Sequence, residues 1–294
     1  MTFFKAMGGQ AATPAPPPVF DKPWRTVDWR GKQRALEKVN KYKPYTEDQH
    51  LRILLHGPVG AGKSSFINSV QSVVRSNMNV KALADHSSGS CFTKEFTTYN
   101  VEREGGDAVH PFVFNDIMGL SANKGVLVED VKLALKGHVK DGYKFNPESK
   151  LSEGDGFYNS APSANDRVHI LVCVIPADTL SSINDSIIKE IREIRLEASR
   201  MGIPQVAVLT KVDMACPEVG RDLKNVYLSK RIKKMMEQFS ADSGIPMNCI
   251  FPVKNYHEEI DLSDDMDALI LSVLNHIIVY GNDFINMKLR NSRS

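Results

Sequence analysis

The sequence predicts an α/β fold in which a mostly parallel sheet carries helices on both faces. Three observations predict it. An apolar, strand-like run, Leu51 to Leu55, leads into a glycine-rich turn and then into a helical pattern. Two further runs, Val168–Ile175 and Gln205–Leu209, are nearly unbroken apolar stretches, as expected of strands covered on both faces. Stripes of helical period separate the runs, and strands alternating with helices imply parallel crossover units.

Taken in order, residues 1–19 are rich in Ala and Pro (Pro14, Pro16, Pro17, Pro18) and have little to bury, which predicts a disordered or extended arm. Residues 20–50 differ. Trp24 and Trp29 suggest an anchor laid on a domain surface, and Ala35, Leu36, Val39 and Tyr42 mark a short helix ending before Pro44. One domain is expected over 51–280, with a tail at 281–294.

Inside that domain, Phe66, Ile67, Val70, Val73 and Val74 make the helix after the glycine-rich turn amphipathic. Residues 75–95 read as loop. Phe96–Val101 and His110–Asn115 read as two strands joined at Gly105-Gly106. Residues 121–166 are long, polar and glycine-punctuated, with one helix near Val128–Leu135, so a functional or mobile insertion is expected. Ile183, Ile187, Ile188, Ile191 and Ile194 mark a helix after the 168–175 strand. A basic amphipathic helix is expected to follow Leu209 through about Phe239, with Lys230-Arg231-Ile232-Lys233-Lys234 on a solvated face. Cys249–Val253 reads as the last strand. Ser263 then caps a helix striped by Met266, Leu269, Ile270, Val273, Leu274, Ile277 and Ile278, with Asp264 and Asp265 in its first turn.

Composition narrows the function classes. The chain has 294 residues, 42% hydrophobic and 24% charged, with a formal net charge of +2. That balance is ordinary for a globular protein and gives no footprint of direct nucleic-acid binding. Cys91, Cys173, Cys216 and Cys249 lack metal-ligand spacing; Cys173 and Cys249 read as small buried hydrophobes, and a reducing compartment fits. No run is read as long enough for a membrane span and no signal-peptide core is found, so a cytoplasmic protein is expected.

The chemistry concentrates at Gly57-Pro58-Val59-Gly60-Ala61-Gly62-Lys63-Ser64-Ser65. A strand, this glycine pattern and a helix in that order make a P-loop, whose backbone N–H groups form an anion nest at a helix N-terminus. Lys63 suits β- and γ-phosphates, and the Ser64 hydroxyl suits Mg²⁺. Downstream, Asp116-Ile-Met-Gly119 ends a strand. Its carboxylate can hold the metal through water, and the Gly119 N–H can reach a γ-phosphate. Thr210-Lys211-Val212-Asp213 ends another. A carboxylate there accepts from guanine N1–H and N2, a donor pair adenine lacks, while the Lys211 stem covers the base. Thr210 can tie this loop to the P-loop. Lys254 and Asn255, after the last strand, are candidates for the other face of the base. The switch threonine on Mg²⁺ is Thr93 by distance, with Thr97 and Thr98 as competitors.

Several longer stretches resemble a known family. Phe20-Asp-Lys-Pro-Trp24-Arg-Thr-Val-Asp-Trp29, Tyr42-Lys-Pro-Tyr45, Leu54 to Phe66, Gly137-His138, Tyr143-Lys-Phe-Asn-Pro147 and Phe251-Pro-Val-Lys-Asn-Tyr256 are similar to the interferon-induced protein 44 and 44-like family. The resemblance spans about residues 20–280. It implies a cytosolic, interferon-induced protein of antiviral or innate immune defence, with a GTPase-like domain. Family members often carry a further N-terminal domain, so a short or divergent member is expected.

One departure bears on catalysis. The position after Asp-x-x-Gly, where small GTPases hold a water-positioning glutamine, is Leu120. The expected function is therefore a GTP/GDP- and Mg²⁺-binding switch or scaffold with slow hydrolysis. Its rivals are a nucleotide-binding module without turnover and an ATP-using P-loop kinase. Unidentified protein partners and a nucleotide-dependent homodimer complete the expectations; no catalytic residue is assigned, and His138 and Arg167 are weighed as suppliers of a catalytic group against ordinary surface roles.

Overall fold

The computed structural model describes residues 18–46, 48–82, 94–106 and 108–291. The apolar runs become strands of one sheet: β1 (Leu51–His56), β2 (Thr97–Glu102), β3 (Val109–Asp116), β4 (Ile170–Pro176), β5 (Gln205–Thr210) and β6 (Ile250–Pro252). Their spatial order is β2-β3-β1-β4-β5-β6. Every pair is parallel except β2–β3, where the chain returns directly through the Gly105-Gly106 turn. Parallel strands place the C-terminal ends of β1, β3, β4, β5 and β6 on one edge, where open α/β sheets gather their ligands.

The helices are α1 (Lys32–Lys41), α2 (Lys63–Arg75), α3 (Val128–Lys136), α4 (Asp185–Arg200), α5 (Val212–Ala215), α6 (Pro217–Arg221), α7 (Lys230–Ser243) and α8 (Asp264–Asn291). α1, α2 and α8 pack together, as do α3, α4 and α7. β4 is buried at every position, and its Val/Ile-rich sequence fits a strand with neighbours on both faces.

Four expectations need correction. The single basic helix after Leu209 is instead α5, α6, a 3₁₀ turn at Leu223–Tyr227 and then α7. Pro217 at the first position of α6 and the Ser229 cap, which accepts from Ile232 N at 3.1 Å, divide it. Of the two expectations for 121–166, functional or mobile, the packing speaks against the second. Asp130 is fully buried and accepts from Leu151 N (2.8 Å) and the Tyr143 hydroxyl (3.3 Å). Phe145 N and Gly142 N donate to the carbonyls of Lys94 and Phe96, which fastens the insertion to the lead-in of β2. Cys249 is half-buried, whereas Cys173 is buried as expected.

The fourth concerns α8, which runs past residue 280 to Asn291, so the expected boundary falls inside a helix. Gly281 explains the close packing there, because a Cβ on it would lie 2.4 Å from Leu51 Cδ1. The same helix is long and apolar enough to cross a membrane, contrary to the sequence reading. In its most apolar window 56% is buried inside the fold, as in a core helix.

The anchor at 20–50 is held by specific contacts. Phe20 N and Trp24 N donate to the carbonyls of Leu228 (2.8 Å) and Tyr227 (3.1 Å). Arg25 donates to the carbonyls of Ile250 (2.6 Å) and Met247 (2.7 Å) and lies against the Trp24, Tyr227 and Phe251 rings. We expect Arg25→Ala to cost about 2 kcal/mol in urea unfolding, because two charge-assisted bonds and the contacts with three aromatic rings vanish. An unchanged midpoint would make the anchor energetically idle.

Three buried histidines make the fold acid-sensitive. Burial, with a lesser push from Lys63, holds His56 at about 3. Burial again, aided by Arg103 and Arg52, holds His110 and His169 at about 4. Unfolded, each titrates near 6.5. Their folded pKa values are lowered, so the stability they contribute is complete above pH 6.5 and is lost as pH falls towards 4 for His110 and His169 and towards 3 for His56. Each should add up to about 1.4 kcal/mol per pH unit to that slope. Urea unfolding at pH 7, 6 and 5 reads it, and His110→Phe, beside Phe112, should flatten it.

Candidate nucleotide site

The P-loop leaves β1 at the sheet's C-terminal edge. Gly62 caps α2 with φ +89, a conformation that favours glycine, and Phe66 N donates to its carbonyl at 2.8 Å to start the helix. α2 therefore points its N-terminus, and the positive end of its dipole, at the loop. Lys63 is buried and turns back towards the carbonyls of Gly57 (3.4 Å) and Pro58 (3.2 Å). The Ser64 hydroxyl donates to Asp116 Oδ2 at 2.5 Å. Half-buried Ser65 gives its carbonyl to Ser69 Oγ (2.7 Å), inside α2. The cradle fits a phosphate chain, and the hydroxyl–carboxylate pair fits a hard cation. Among the described residues no cluster of three His, Cys, Asp or Glu would hold a metal, so Mg²⁺ would complete its shell with water and phosphate oxygens.

The Asp116–Gly119 segment lies against this loop. A Cβ on Gly119 would stand 2.6 Å from Val59 N, so only glycine permits the approach. Leu120 N then donates to Gly57 O (2.9 Å), and Val59 N donates to Leu120 O (3.1 Å). The Leu120 side chain is 1% exposed and belongs to the core. Position 120 is thus a packing position whose backbone clamps the P-loop.

The proposed suppliers of a catalytic group are placed elsewhere. His138 Nδ1 lies 2.8 Å from Asn159 O, and its ring stacks on Tyr158. Arg167 precedes β4, at the strand end opposite the P-loop; His56 pairs in register with Cys173, six residues on, or about 20 Å along a strand. Of the switch threonines, Thr93 lies outside the described residues. Thr98 Oγ1 is taken by Asn115 Nδ2 at 2.8 Å, and Thr97 faces Asp116 across the β2–β3 ladder.

The remaining elements bind to the P-loop from the other side. Fully buried Thr210 donates from Oγ1 to Ala61 O at 2.6 Å, which ties the two loops. Lys211 has φ +56, a left-handed backbone uncommon for a non-glycine residue, and its ammonium lies 3.7 Å from Asp178. Asp213 is in the first turn of α5, with Lys254 Nζ 3.9 Å away. Lys254 is held more closely by Glu259, at 2.7 Å. Burial alone would raise the Glu259 pKa, but the Lys254 hydrogen bond and the His257 N–H outweigh it and hold the carboxyl at about 2. Lys254 thus faces carboxylates on two sides. Asn255 Nδ2 donates to Gly62 O (3.1 Å), while its Oδ1 is buried without a hydrogen bond from the described residues.

The sequence reading assigned no role to the groups that brace this corner. Tyr256 N donates to Ser69 Oγ on α2 (2.9 Å), and its hydroxyl donates to buried Asp267 on α8 (2.6 Å). Asp267 also pairs with Lys32 of α1 at 2.7 Å. In the sequence Tyr256 only closes the Phe251–Tyr256 stretch, and nothing there singles out Asp267, which the structure places with Asp264 and Asp265 in the first turn of α8.

The sheet order, the P-loop and the loops after β3, β5 and β6 define a P-loop protein of the GTPase-like α/β class. Among solved structures, a dimerisation-deficient variant of Toc33 from Arabidopsis thaliana superimposes with a TM-score of 0.50 over 86% of this chain and 93% of that one, at 16% identity, a likeness of fold. Interferon-induced protein 44 of Mus musculus is 32% identical over 251 residues, 85% of this chain and 59% of that protein. The Homo sapiens protein of that name is 33% identical over 257 residues, 86% of this chain and 57% of that protein. Interferon-induced protein 44-like of Homo sapiens is 31% identical over 258 residues, again 86% and 57%. The chain is a homologue of the interferon-induced protein 44 and 44-like proteins, and it spans somewhat less than three-fifths of the relatives' length. No protein-family model matches it.

The burial of Leu120 sets an expectation. Leu120→Gln places an amide in the core, so it should lower stability by about 1–3 kcal/mol and bring no gain in single-turnover GTP hydrolysis. Leu120→Met, which conserves volume, should cost less than about 1.5 kcal/mol. Faster hydrolysis in the Gln variant at undiminished stability would show the side chain reaching the site.

Proposed function

We propose that this chain binds GTP or GDP with Mg²⁺ and works as a nucleotide-dependent switch or scaffold in interferon-induced antiviral defence, in the cytoplasm. The observation that carries the reading is the convergence on one loop: Ser64 with Asp116, Ala61 with Thr210 and Gly62 with Asn255. Phosphate, metal and base candidates therefore share one edge of the sheet. Gly57 to Ser65 would surround the phosphates, with Lys63 supplying charge. Ser64 and Asp116 would hold the metal. Lys211 and Asp213, with Lys254 and Asn255 opposite, would enclose and read the base. Bound Mg²⁺ would supply charge neutralisation across the β- and γ-phosphates.

Hydrolysis, in this reading, is slow, no faster than the order of 10⁻⁴ per second of an unassisted small GTPase. A binder without turnover is the second reading, and the core position of Leu120 favours it. A homodimer formed in the GTP state would present a protein surface to partners and could bring in a missing group. Rates measured across a range of protein concentrations separate these readings.

Calorimetry with GTP and ATP, each with Mg²⁺ or with EDTA, tests the binding. GTP with Mg²⁺ should bind more tightly than ATP. Asp213→Ala should lose about 2 kcal/mol or more of GTP affinity, because the base donors lose their acceptor. Asp213→Asn should shift preference to xanthine nucleotide, and Lys63→Ala should weaken triphosphate binding while remaining folded. Equal GTP and ATP affinity, unchanged by Asp213→Ala, would overturn the guanine assignment.

A further inference from the structure

A cavity of about 440 Å³ opens at the pole of the sheet opposite the P-loop. It lies between the last turns of α8, the end of α4 and the loop entering β4. Val168, Met201, Ile203, Phe284, Ile285 and Leu289 give it apolar walls. Its volume is within the range of small-molecule sites.

Its polar groups are arranged by depth. Buried His169 accepts from Arg52 N through Nδ1 at 2.9 Å, which leaves a neutral imidazole in the interior. The lining also includes two exposed cations, Arg167 and Lys288, and no acid. Neither cation has an ion-pair partner among the described residues. Lys288 instead stands 5.3 Å over the Phe284 ring. Asp166, beside Arg167 in sequence, is occupied by Ser163 N (2.8 Å) and Ser163 Oγ (2.7 Å).

We propose that this cavity binds a small amphiphile with one carboxylate head, its apolar chain inside and its head between Arg167 and Lys288. The argument is charge complementarity with burial. A cationic amphiphile would face like charges at the mouth, and a neutral one would forgo both of them. The planar fork of Arg167 matches a carboxylate in two parallel hydrogen bonds. An uncharged interior suits the chain and would penalise a second charged group.

Calorimetry on the full chain with decanoate, decanol and decyltrimethylammonium tests this. Decanoate should bind saturably, at least tenfold more tightly than the other two. The Arg167→Glu, Lys288→Glu double variant should lose at least tenfold for decanoate, and Leu289→Trp, which fills the cavity, should abolish binding. Urea unfolding and the thermal shift produced by GTP with Mg²⁺ serve as folding checks, since the nucleotide loops lie at the other pole. Equal affinity for all three head groups, unaltered affinity in a folded charge-reversed variant, or no saturable decanoate binding would each overturn the proposal. A chain that takes decanoate but not GTP would leave it standing and remove only the nucleotide reading.

Discussion

The nucleotide corner depends on one close approach, that of Gly119 to Val59. Because no side chain intervenes, the backbone after β3 comes near enough for two hydrogen bonds between Leu120 and the P-loop, to Gly57 and from Val59. Those bonds fix the strand end bearing Asp116 relative to the helix start bearing Ser64, and the two side chains meet at 2.5 Å. The clamp also decides what position 120 can be. With its N–H and C=O both engaged with the loop, its side chain enters the core. A polar group there would have no water to orient and a desolvation cost to bear.

The opposite side of the P-loop is braced by side chains. Thr210 reaches Ala61 and Asn255 reaches Gly62, so the loops after β5 and β6 are tied to the same few carbonyls. Tyr256 extends the brace to Ser69 on α2 and to Asp267 on α8, and Lys32 connects Asp267 with α1. The Trp24–Trp29 segment and its following helix are therefore part of the scaffold behind the loops after β5 and β6. Breaking a buried bridge such as Tyr256–Asp267 would leave an uncompensated polar group, so these connections specify the corner's geometry more than they raise its stability.

Much of this was legible in the sequence because the signals were local. A short, β-branched apolar run bounded by turn residues fits an interior strand better than a buried helix, and glycine spacing between a strand and a helix has few other uses. The strands after Leu51, Val168 and Gln205, and the helix at Val128, follow from such patterns. What was not legible depended on residues far apart in the chain. Leu120 could be named as a missing glutamine, but its burial needs the Gly119–Val59 contact. His138 and Arg167 were plausible donors on chemistry alone, and only topology places one against Tyr158 and the other at the wrong pole. The segmentation after β5 was hidden because lysine-rich polarity continues across Pro217 and Ser229, and periodicity alone does not register the breaks. The packing of the 121–166 insertion was hidden because it depends on Asp130, a buried acid that binds groups 13 and 21 residues away, and on backbone bonds to Lys94 and Phe96.

α8 bears on how the two ends of the molecule relate. Asp267, at its start, braces the loop after β6 through Tyr256, whereas Phe284 and Lys288, near its end, line the cavity. Seventeen residues separate Asp267 from Phe284, or about 25 Å along a helix. Gly281 seats the intervening turns against Leu51 and Ile170, with a contact distance that admits no Cβ. A rod fixed so closely to β1 and β4 transmits a signal only if it has a second seating, because coupling between distant sites requires an element with two arrangements. With a single seating, the physical argument favours independence. Occupancy at one pole then leaves affinity at the other unchanged, and any coupling has to come from a shift of α8 across the Gly281 contact.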